Sequence, residues 1–177
     1  TINKGEKDSD LARRPNINSA LKMRLFPYHK DKKAINNLKI DPESVFFITT
    51  RDVSEEMCQI IMSHLDKFPN QIHDWDKMSN EERAKELVVT DMTAGVGGNT
   101  ILFGKYFKYV NAIEMDYTRY TYLKSNISVY DYININVYHG DSLEFLVNND
   151  FLNQDIIFID PPWGGHDYKL VEKLTLT

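Results

Sequence analysis

Short apolar runs alternate with amphipathic segments through the second half of the chain. Four of these runs have the length and the β-branched and aromatic content of buried strands. They lie at residues 86–92, 109–115, 135–140 and 155–160. Segments that predict helices separate them, at residues 99–107, 118–130 and 142–149. The resulting order of strands and helices predicts an α/β fold with a parallel sheet and helices on both faces.

The first half of the chain has a less regular pattern. Residues 45–50 are β-branched or aromatic and predict a short strand or extended segment. Beyond Asp52 the apolar residues recur at helical spacing, and Asp52 with Glu55 predicts the amino-terminal cap of that helix. A second, short helix is predicted within residues 79–87.

This change of pattern divides the chain into three predicted parts. Residues 1–68 form an amino-terminal basic arm and helical segment, and residues 69–86 form a polar connection. Residues 87–177 form the α/β core. We expect the small amino-terminal segment, helical or extended, to precede a single main sheet.

The composition indicates a soluble intracellular protein. Hydrophobic residues make up 42% of the 177 residues, which is enough for a sizeable core, yet no apolar run is long enough to span a bilayer. The first residues are polar and lack the apolar segment of a secretory signal. Cys58 is the single cysteine, which excludes an intrachain disulfide and a zinc cluster built from cysteines. No metal site and no membrane partner are predicted.

Charge is distributed unevenly along the chain. Residues 1–40 contain ten Lys or Arg against four Asp or Glu, a balance of +6. The remaining residues contain eleven against twenty-two, a balance of −11, and together these give the net charge of −5. A basic arm on an acidic body suits an anionic partner such as nucleic acid, although a solvated tail would have the same composition.

A glycine-rich turn follows the first predicted strand of the core. Asp91 ends that strand, Gly95, Gly97 and Gly98 follow, and a helix begins at once. Such a turn lets a ligand approach the backbone closely. The spacing matches neither the dinucleotide-binding pattern G-x-G-x-x-G nor a P-loop.

Acidic residues also end the next two predicted strands. Glu114 at the tip of the second strand could accept hydrogen bonds from both ribose hydroxyls of a nucleoside. Asp141 at the tip of the third could accept from an adenine amine, and it could also cap the following helix. The carboxyl ends of parallel strands share one edge of the sheet, so we expect Asp91, Glu114 and Asp141 to converge there.

The fourth predicted strand ends in Asp160-Pro161-Pro162-Trp163. A ring-bound amine is a poor nucleophile and has to be held with its lone pair aimed at carbon. Asp160 could accept one N–H and the Pro161 carbonyl the other, while the prolines stiffen the loop. Trp163 could stack on a base, and its indole suits a cationic base best.

These motifs together resemble a known family of enzymes. The glycine turn, the acids at the strand tips and the DPPW sequence resemble class I methyltransferases that use S-adenosylmethionine. More narrowly, GVGGNTI (95–101) and PPWGG-x-DY (161–168) resemble trimethylguanosine synthases, the cap guanine-N2 methyltransferases. RLF (24–26) and FFITT (46–50) lie where that family has similar segments.

The resemblance implies a Rossmann-like class I methyltransferase fold, with S-adenosylmethionine as cofactor and RNA with a 7-methylguanosine (m7G) cap as substrate. It assigns cofactor contacts to Phe26, Thr50, Asp91, Gly95, Gly97, Gly98, Asn99, Glu114 and Asp141. The residues implied in catalysis are Asp160, Pro161 and Trp163. Trp163 would stack on 7-methylguanine, and Tyr168 and Arg24 would contact the cap. The implied location is the nucleus or the cytoplasm, and the cytoplasm for a viral protein.

The chain also departs from the family pattern. Thr93-Ala94-Gly95 stands where the family has Phe-Cys-Gly, and Asp160 stands where it has Ser or Asp. The mostly parallel sheet has four predicted strands and lacks the last strands of the fold, which a larger polypeptide or a complex would supply. Two alternatives therefore remain open: a truncated or degenerate domain with a binding or structural role, and an amine methyltransferase acting on another base.

Overall fold

A four-stranded, all-parallel sheet forms the centre of the computed structural model, which describes residues 15–68, 72–148 and 152–161. The strands are β1 (Val88–Asp91), β2 (Tyr109–Glu114), β3 (Ile135–His139) and β4 (Ile156–Phe158). They are arranged in the order β3-β2-β1-β4. The predicted α/β fold with a parallel sheet is therefore confirmed.

The pairing register brings the strand ends to one edge of the sheet. Asp91 pairs with Ala112 on one side and with Phe158 on the other. Glu114 lies opposite His139 on β3. Since all four strands run the same way, the turns that follow Asp91, Glu114, His139 and Phe158 lie along the same carboxyl edge.

Six helices surround the sheet in the described part of the chain. They are α1 (Ser19–Leu25), α2 (Arg51–Ser63), α3 (Asn80–Ala84), α4 (Gly98–Tyr106), α5 (Tyr117–Val129) and α6 (Ser142–Asn148). Short 3-10 turns occupy Ala34–Asn37, Ser44–Phe46, Leu65–Lys67 and Trp75–Lys77. The helices predicted in the core are confirmed, and so is the short helix α3, which begins with a capping box between Ser79 and Glu82.

Of the two alternatives predicted for residues 45–50, a short strand or an extended segment, the strand is wrong. A 3-10 turn at Ser44–Phe46 occupies this position instead. Asp41 accepts hydrogen bonds from the backbone N–H of Ser44 at 2.9 Å and from its hydroxyl at 2.5 Å. These local bonds from a short polar side chain favour a turn over an extended strand, despite the β-branched and aromatic composition.

The predicted helix beyond Asp52 exists, but its predicted cap is wrong. Thr50 is the residue before the first turn of α2, and its side chain makes no capping hydrogen bond. Asp52 pairs instead with the guanidinium of Arg51 at 3.0 Å. The helix start is therefore held by backbone bonds, such as the one from the N–H of Ser54 to the carbonyl of Thr50 at 2.9 Å.

Two apolar clusters join the amino-terminal segment to the sheet. The first cluster packs arm residues against the glycine turn, α4 and α5; its buried members from the arm are Leu25, Phe26, Ile35, Leu38 and Ile40. The second cluster packs Cys58 and Met62 of α2 against Val89, Phe103 and Val110. Burying such side chains is worth about 1.5–3 kcal/mol each, so the arm is held firmly against the core.

The two faces of the sheet are covered differently. Val110 and Ala112 of β2 point toward α4 and the amino-terminal segment. Ile113 points the other way, into a small cluster with Met92 and Leu152 against which Phe145 of α6 packs. This alternation is the one expected of a strand buried on both faces.

Strands β3 and β4 lie at the two edges of the sheet formed by the described residues. The expectation that further strands complete the sheet concerns chain outside those residues and stays a prediction. The division into parts at residues 68 and 86 likewise stays a prediction. Within the described ranges, no helix has both the length and the apolar character needed to cross a membrane.

Candidate active site

The glycine turn, residues 92–97 between β1 and α4, lies at the carboxyl edge of the sheet. Gly95 has a φ of +54°, and nothing lies within 4 Å of the position that its Cβ would take. Gly97 has a φ of +102°, and a Cβ there would lie 2.8 Å from Cδ1 of Leu123. Gly97 is therefore required by conformation and packing, whereas Gly95 leaves its backbone open to a ligand.

Gly98 has a different surrounding. A Cβ at Gly98 would lie 3.0 Å from Cγ1 of Ile48, so this glycine allows the arm to pack against the start of α4. Asn99, the next residue, accepts a hydrogen bond from the hydroxyl of Ser54 at 2.6 Å through its Oδ1. Both residues connect the turn to the arm, and their predicted cofactor contacts stay predictions.

Asp91 stabilises the glycine turn through hydrogen bonds. Its side chain is buried and accepts hydrogen bonds from the hydroxyl of Thr100 at 2.6 Å and from the N–H of Thr93 at 3.2 Å. Burial, together with the charges of Asp160 and Glu114, raises the pKa of Asp91 to about 6. This placement favours an indirect role for Asp91, because its carboxylate faces the turn and not the solvent.

Glu114 faces the glycine turn from the end of β2. Its Oε2 accepts the N–H of Gly95 at 2.8 Å, and its Oε1 accepts the N–H of Asp116 at 2.7 Å. The residue is half-buried, so each oxygen can accept a further bond from a ligand. Glu114 thus lies beside the open side of Gly95, where a nucleoside ribose could be held.

Asp141 lies at the end of the third strand, as predicted. Its Oδ1 accepts the N–H of Leu143 at 2.8 Å, which is the bond of a residue at a helix start. The side chain is exposed and lies at the same edge as Glu114. Of its two expected roles, the helix-capping one is present, and the contact with adenine stays a prediction.

Asp160 is held by two threonines that lie far from it in sequence. The hydroxyl of Thr49 donates to Oδ2 of Asp160 at 2.8 Å. The backbone N–H of Asp160 donates to Oγ1 of Thr93 at 2.8 Å. Asp160 therefore connects the arm, the glycine turn and the loop after β4, and Pro161 follows it half-buried. Trp163 and Tyr168 lie outside the described residues.

The predicted contacts of the arm, from Phe26, Thr50 and Arg24, stay predictions. Phe26 is fully buried in the first apolar cluster, together with Ala94 and Val96 of the glycine turn. The neighbouring Thr49 contacts Asp160, and Thr50 directly precedes α2. Arg24 lies exposed near the end of α1, and its contact with a cap stays a prediction.

Sequence reasoning missed three residues that organise this edge: Thr49, Thr93 and Asn126. The two threonines lie next to predicted site residues, but nothing in the pattern distinguishes a bonding hydroxyl from an exposed one. Asn126 is a fully buried polar residue within a predicted helix, and a buried asparagine usually has a specific partner. Among the described residues, no cluster of His, Cys, Asp and Glu could hold a metal ion.

Solved structures that are similar to parts of this chain include two from microorganisms. The structure of TYW2 from M. jannaschii in complex with AdoMet is 42% identical over 31% of this chain and 26% of its own, with a TM-score of 0.30. A putative methyltransferase from Porphyromonas gingivalis W83 is 16% identical over 68% of this chain and 34% of its own, with a TM-score of 0.38. Both TM-scores are too low for these structures to support a statement about the fold.

The relatives that match the sequence include the following two. An uncharacterized protein of Acanthamoeba polyphaga mimivirus is 46% identical over 168 residues, which is 93% of this chain and 65% of the relative. A trimethylguanosine synthase of Schizosaccharomyces pombe is 34% identical over 87 residues, which is 47% of this chain and 36% of the relative. The chain thus matches less than two thirds of the length of either.

The family profile of RNA cap guanine-N2 methyltransferases matches residues 86–177, more than half of the chain. This range contains the glycine turn, Glu114, Asp141 and Asp160. The match agrees with the parallel sheet and with the acids that converge at its carboxyl edge. The chain belongs to the RNA cap guanine-N2 methyltransferase family.

Proposed function

We propose that this protein transfers a methyl group from S-adenosylmethionine to the exocyclic N2 amine of an m7G cap on RNA. The observation that carries the proposal is the position of Asp160 beside the glycine turn in a chain of this family. An acceptor for an amine N–H thus lies next to a backbone that a ligand can approach.

The glycine turn fits the methionine part of the cofactor. The open side of Gly95 would be filled by a ligand, because no protein atom lies within 4 Å of its missing Cβ. Asp91, Glu114 and Asp160 also concentrate negative charge around the turn; burial is the main cause of the raised pKa of Asp91, and the charges of Asp160 and Glu114 add to it. Such a site favours a cation. When bound, the cofactor supplies the methyl group as a sulfonium, which carries a positive charge.

Glu114 and Asp141 would hold the nucleoside part of the cofactor. The carboxylate of Glu114 is already oriented by the N–H groups of Gly95 and Asp116, so it can accept ribose hydroxyls without rearranging. Asp141 would accept from the adenine amine at the next strand tip. A ligand bound this way spans the ends of β1, β2 and β3.

Asp160 and Pro161 would orient the N2 amine of guanine. The Asp160 carboxylate accepts one N–H of the amine, the Pro161 carbonyl accepts the other, and the nitrogen lone pair is left facing the methyl donor. Asp160 can also take the proton that the amine loses. The bonds from Thr49 and to Thr93 fix this residue before substrate binds, which reduces the cost of orientation.

Trp163 would stack on the cationic 7-methylguanine, and Tyr168 would contact the cap phosphates. Arg24 and the basic residues of the arm would contact phosphates of the cap or of the RNA. The partner is thus m7G-capped RNA, in the nucleus or the cytoplasm, and in the cytoplasm if the protein is viral like its mimivirus relative. The complete polypeptide or a complex would supply further strands.

A methyl-transfer assay tests this proposal. The complete protein is incubated with S-adenosylmethionine labelled at the methyl group and with RNA bearing an m7G cap, an unmethylated G cap or no cap. We expect label only on the m7G-capped RNA, recovered as N2-methylated m7G after nuclease digestion. Label on an internal base would favour a different amine substrate. Cofactor binding without transfer would favour a binding or structural role.

A further inference from the structure

The guanidinium of Arg119 links helix α5 to the arm segment between Asp41 and Phe47. Its Nε lies 3.6 Å from Oδ2 of Asp41, and its Nη2 pairs with Glu43. The guanidinium carbon also lies 4.9 Å from the ring centre of Phe47. One side chain of the core thus contacts the beginning, middle and end of this segment.

The segment has a defined shape because Asp41 organises it. Asp41 accepts two hydrogen bonds from Ser44 and so closes the 3-10 turn at Ser44–Phe46. Burial favours the neutral acid, yet the bonds from Ser44 and the charge of Arg119 hold the pKa of Asp41 below its ordinary value. The carboxylate therefore stays charged and paired at neutral pH.

The same segment leads directly to the candidate active site. Ile48 packs against Gly98, where an added Cβ would approach its side chain to 3.0 Å. Thr49 follows and donates its hydroxyl to Asp160 at 2.8 Å. Only one residue separates Phe47, in contact with Arg119, from Thr49, so a shift of the segment at Arg119 moves the hydroxyl that orients Asp160.

The Arg119 contact differs from an ordinary surface ion pair. Arg119 and Asp41 have side chains only 20% and 19% exposed. The Nε of Arg119 is buried and has no hydrogen-bond partner within the described ranges, so the charge of Asp41 is what balances it. Partly desolvated pairs of this kind interact more strongly than fully exposed ion pairs.

We propose that Arg119 is a positioning residue for the methyl-transfer reaction, which locks the segment Asp41–Phe47 onto α5 and thereby holds Thr49 against Asp160. The inference rests on the proposed function for its catalytic consequence. Arg119 contacts Asp41, Glu43 and Phe47, and in this proposal it acts through the arm segment.

The test compares Arg119→Ala with Arg119→Lys, Thr49→Val and the double variant in the complete protein. For Arg119→Ala we expect kcat to fall about tenfold, with KM for S-adenosylmethionine within about twofold of wild type, because the geometry at Asp160 is disturbed and the cofactor contacts are kept. Arg119→Lys retains a charge for Asp41 and should recover part of the loss. Lys124→Ala removes an exposed cation from the same helix and should leave kcat unchanged.

The double variant identifies the route of the effect. If Arg119 acts through Thr49, adding Thr49→Val to Arg119→Ala should lower kcat no further than the larger single effect. Independent, multiplicative losses would overturn the proposal, and so would an unchanged kcat in Arg119→Ala. The proposal would also be overturned if Arg119→Ala raised KM for the cofactor and lowered thermal stability, and Arg119→Lys rescued neither. Arg119 would then be a merely structural residue.

Hydrogen exchange provides a measurement that does not depend on activity. The N–H groups of Phe47 and Ile48 donate to the carbonyl of Ser44, and they should exchange faster in Arg119→Ala. If these N–H groups exchanged at the wild-type rate in Arg119→Ala, the proposed role of Arg119 in holding the segment would be overturned, even if activity fell. If the wild-type protein transferred no methyl group, the proposed function would fail. The NMR signal of the Asp160 amide, expected to shift alike in Arg119→Ala and Thr49→Val, would still decide the positioning.

Discussion

The side-chain amide of Asn126 binds the backbone of Lys39 from both sides. Its Oδ1 accepts the N–H of Lys39 at 2.7 Å, and its Nδ2 donates to the carbonyl of Lys39 at 2.8 Å. The same Nδ2 donates to the carbonyl of Val96 in the glycine turn at 2.8 Å. One buried residue of α5 therefore holds the arm and the glycine turn together.

Replacing Asn126 with alanine should destabilise the protein strongly. The change removes three hydrogen bonds, and it leaves the carbonyl of Val96, which is buried, and the part-buried N–H and carbonyl of Lys39 without this partner. Each unsatisfied buried group costs about 1–3 kcal/mol, so we expect the free energy of unfolding to fall by about 2–4 kcal/mol. Urea unfolding measures this, with the exposed Asn136→Ala as the control. A loss equal to that of the control would contradict the proposed link.

The titration of Asp91 should make stability depend on pH. Its pKa is raised from an ordinary 3.8 to about 6 in the folded protein, mainly by burial. The folded state thus favours the protonated acid. The stability that this proton uptake adds is complete below about pH 3.8 and is lost as the pH rises through about 6.

Asp91→Asn removes this titration while keeping the size of the side chain. Relative to the variant, the wild type should lose up to about 3 kcal/mol of unfolding free energy between pH 4 and pH 7, the equivalent of about two pKa units. Denaturant titrations across that range measure the difference, and Asp66→Asn serves as an exposed control. Parallel pH profiles for wild type and Asp91→Asn would show that the carboxyl group is not perturbed in this way.

Loss of the Glu114 carboxylate should weaken cofactor binding. Glu114→Ala removes the proposed bonds to the ribose and also the acceptor that orients the N–H of Gly95. Hydrogen bonds to a charged group contribute about 1.5–3 kcal/mol each, so affinity for S-adenosylhomocysteine should fall at least about tenfold. Calorimetry measures this, with Glu144→Ala on α6 as the control. If Glu114→Ala and the wild type bound S-adenosylhomocysteine with equal affinity, Glu114 would not be the residue that binds the ribose.

The indole of Trp163 should select for the positive charge of the methylated base. A partly desolvated cation–π contact contributes roughly 2 kcal/mol, and base stacking about 1–3 kcal/mol. Trp163→Ala should therefore weaken binding of m7GTP at least about tenfold and abolish its preference over GTP, while cofactor affinity stays nearly constant. Trp163→Phe should recover part of the loss.

Quenching of tryptophan fluorescence by m7GTP provides the measurement for Trp163. The chain contains one other tryptophan, Trp75, which is only 5% exposed and belongs to the second apolar cluster. A Trp75→Phe background would isolate the signal of Trp163. Equal binding of GTP and m7GTP by the wild type would count against both the stacking role and the cap as substrate.

The core of the fold could be predicted because its local and global patterns agree. Strands such as Val88–Asp91 and Tyr109–Glu114 are apolar runs that end in an acid, and parallel pairing then brings these acids to one edge. The arm could not be predicted in the same way. Residues 45–50 have the composition of a strand, but the hydrogen bonds between Asp41 and Ser44, three positions later, favour a turn there.

The site was predicted where a motif fixes the backbone, and missed where a contact joins distant residues. Gly97 needs its left-handed φ because of its own turn, which the sequence pattern reflects. The bond between Thr49 and Asp160 spans 111 positions, and no local spacing reports it. Asn126 shows the same difficulty: its bonds to Lys39 span 87 positions, and no local spacing reports them.

The long reach of the arm has a consequence for synthesis in the cell. Tyr130 donates to the carbonyl of Pro27 across 103 positions, and Asn126 binds Lys39 across 87. At roughly 5–20 residues per second, the ribosome needs about 5–20 seconds to make the partners of an arm that has already emerged. During that time Phe26 and its apolar neighbours have no core to enter. The apolar residues of the arm are therefore exposed to chaperones until their partners in the core have been made.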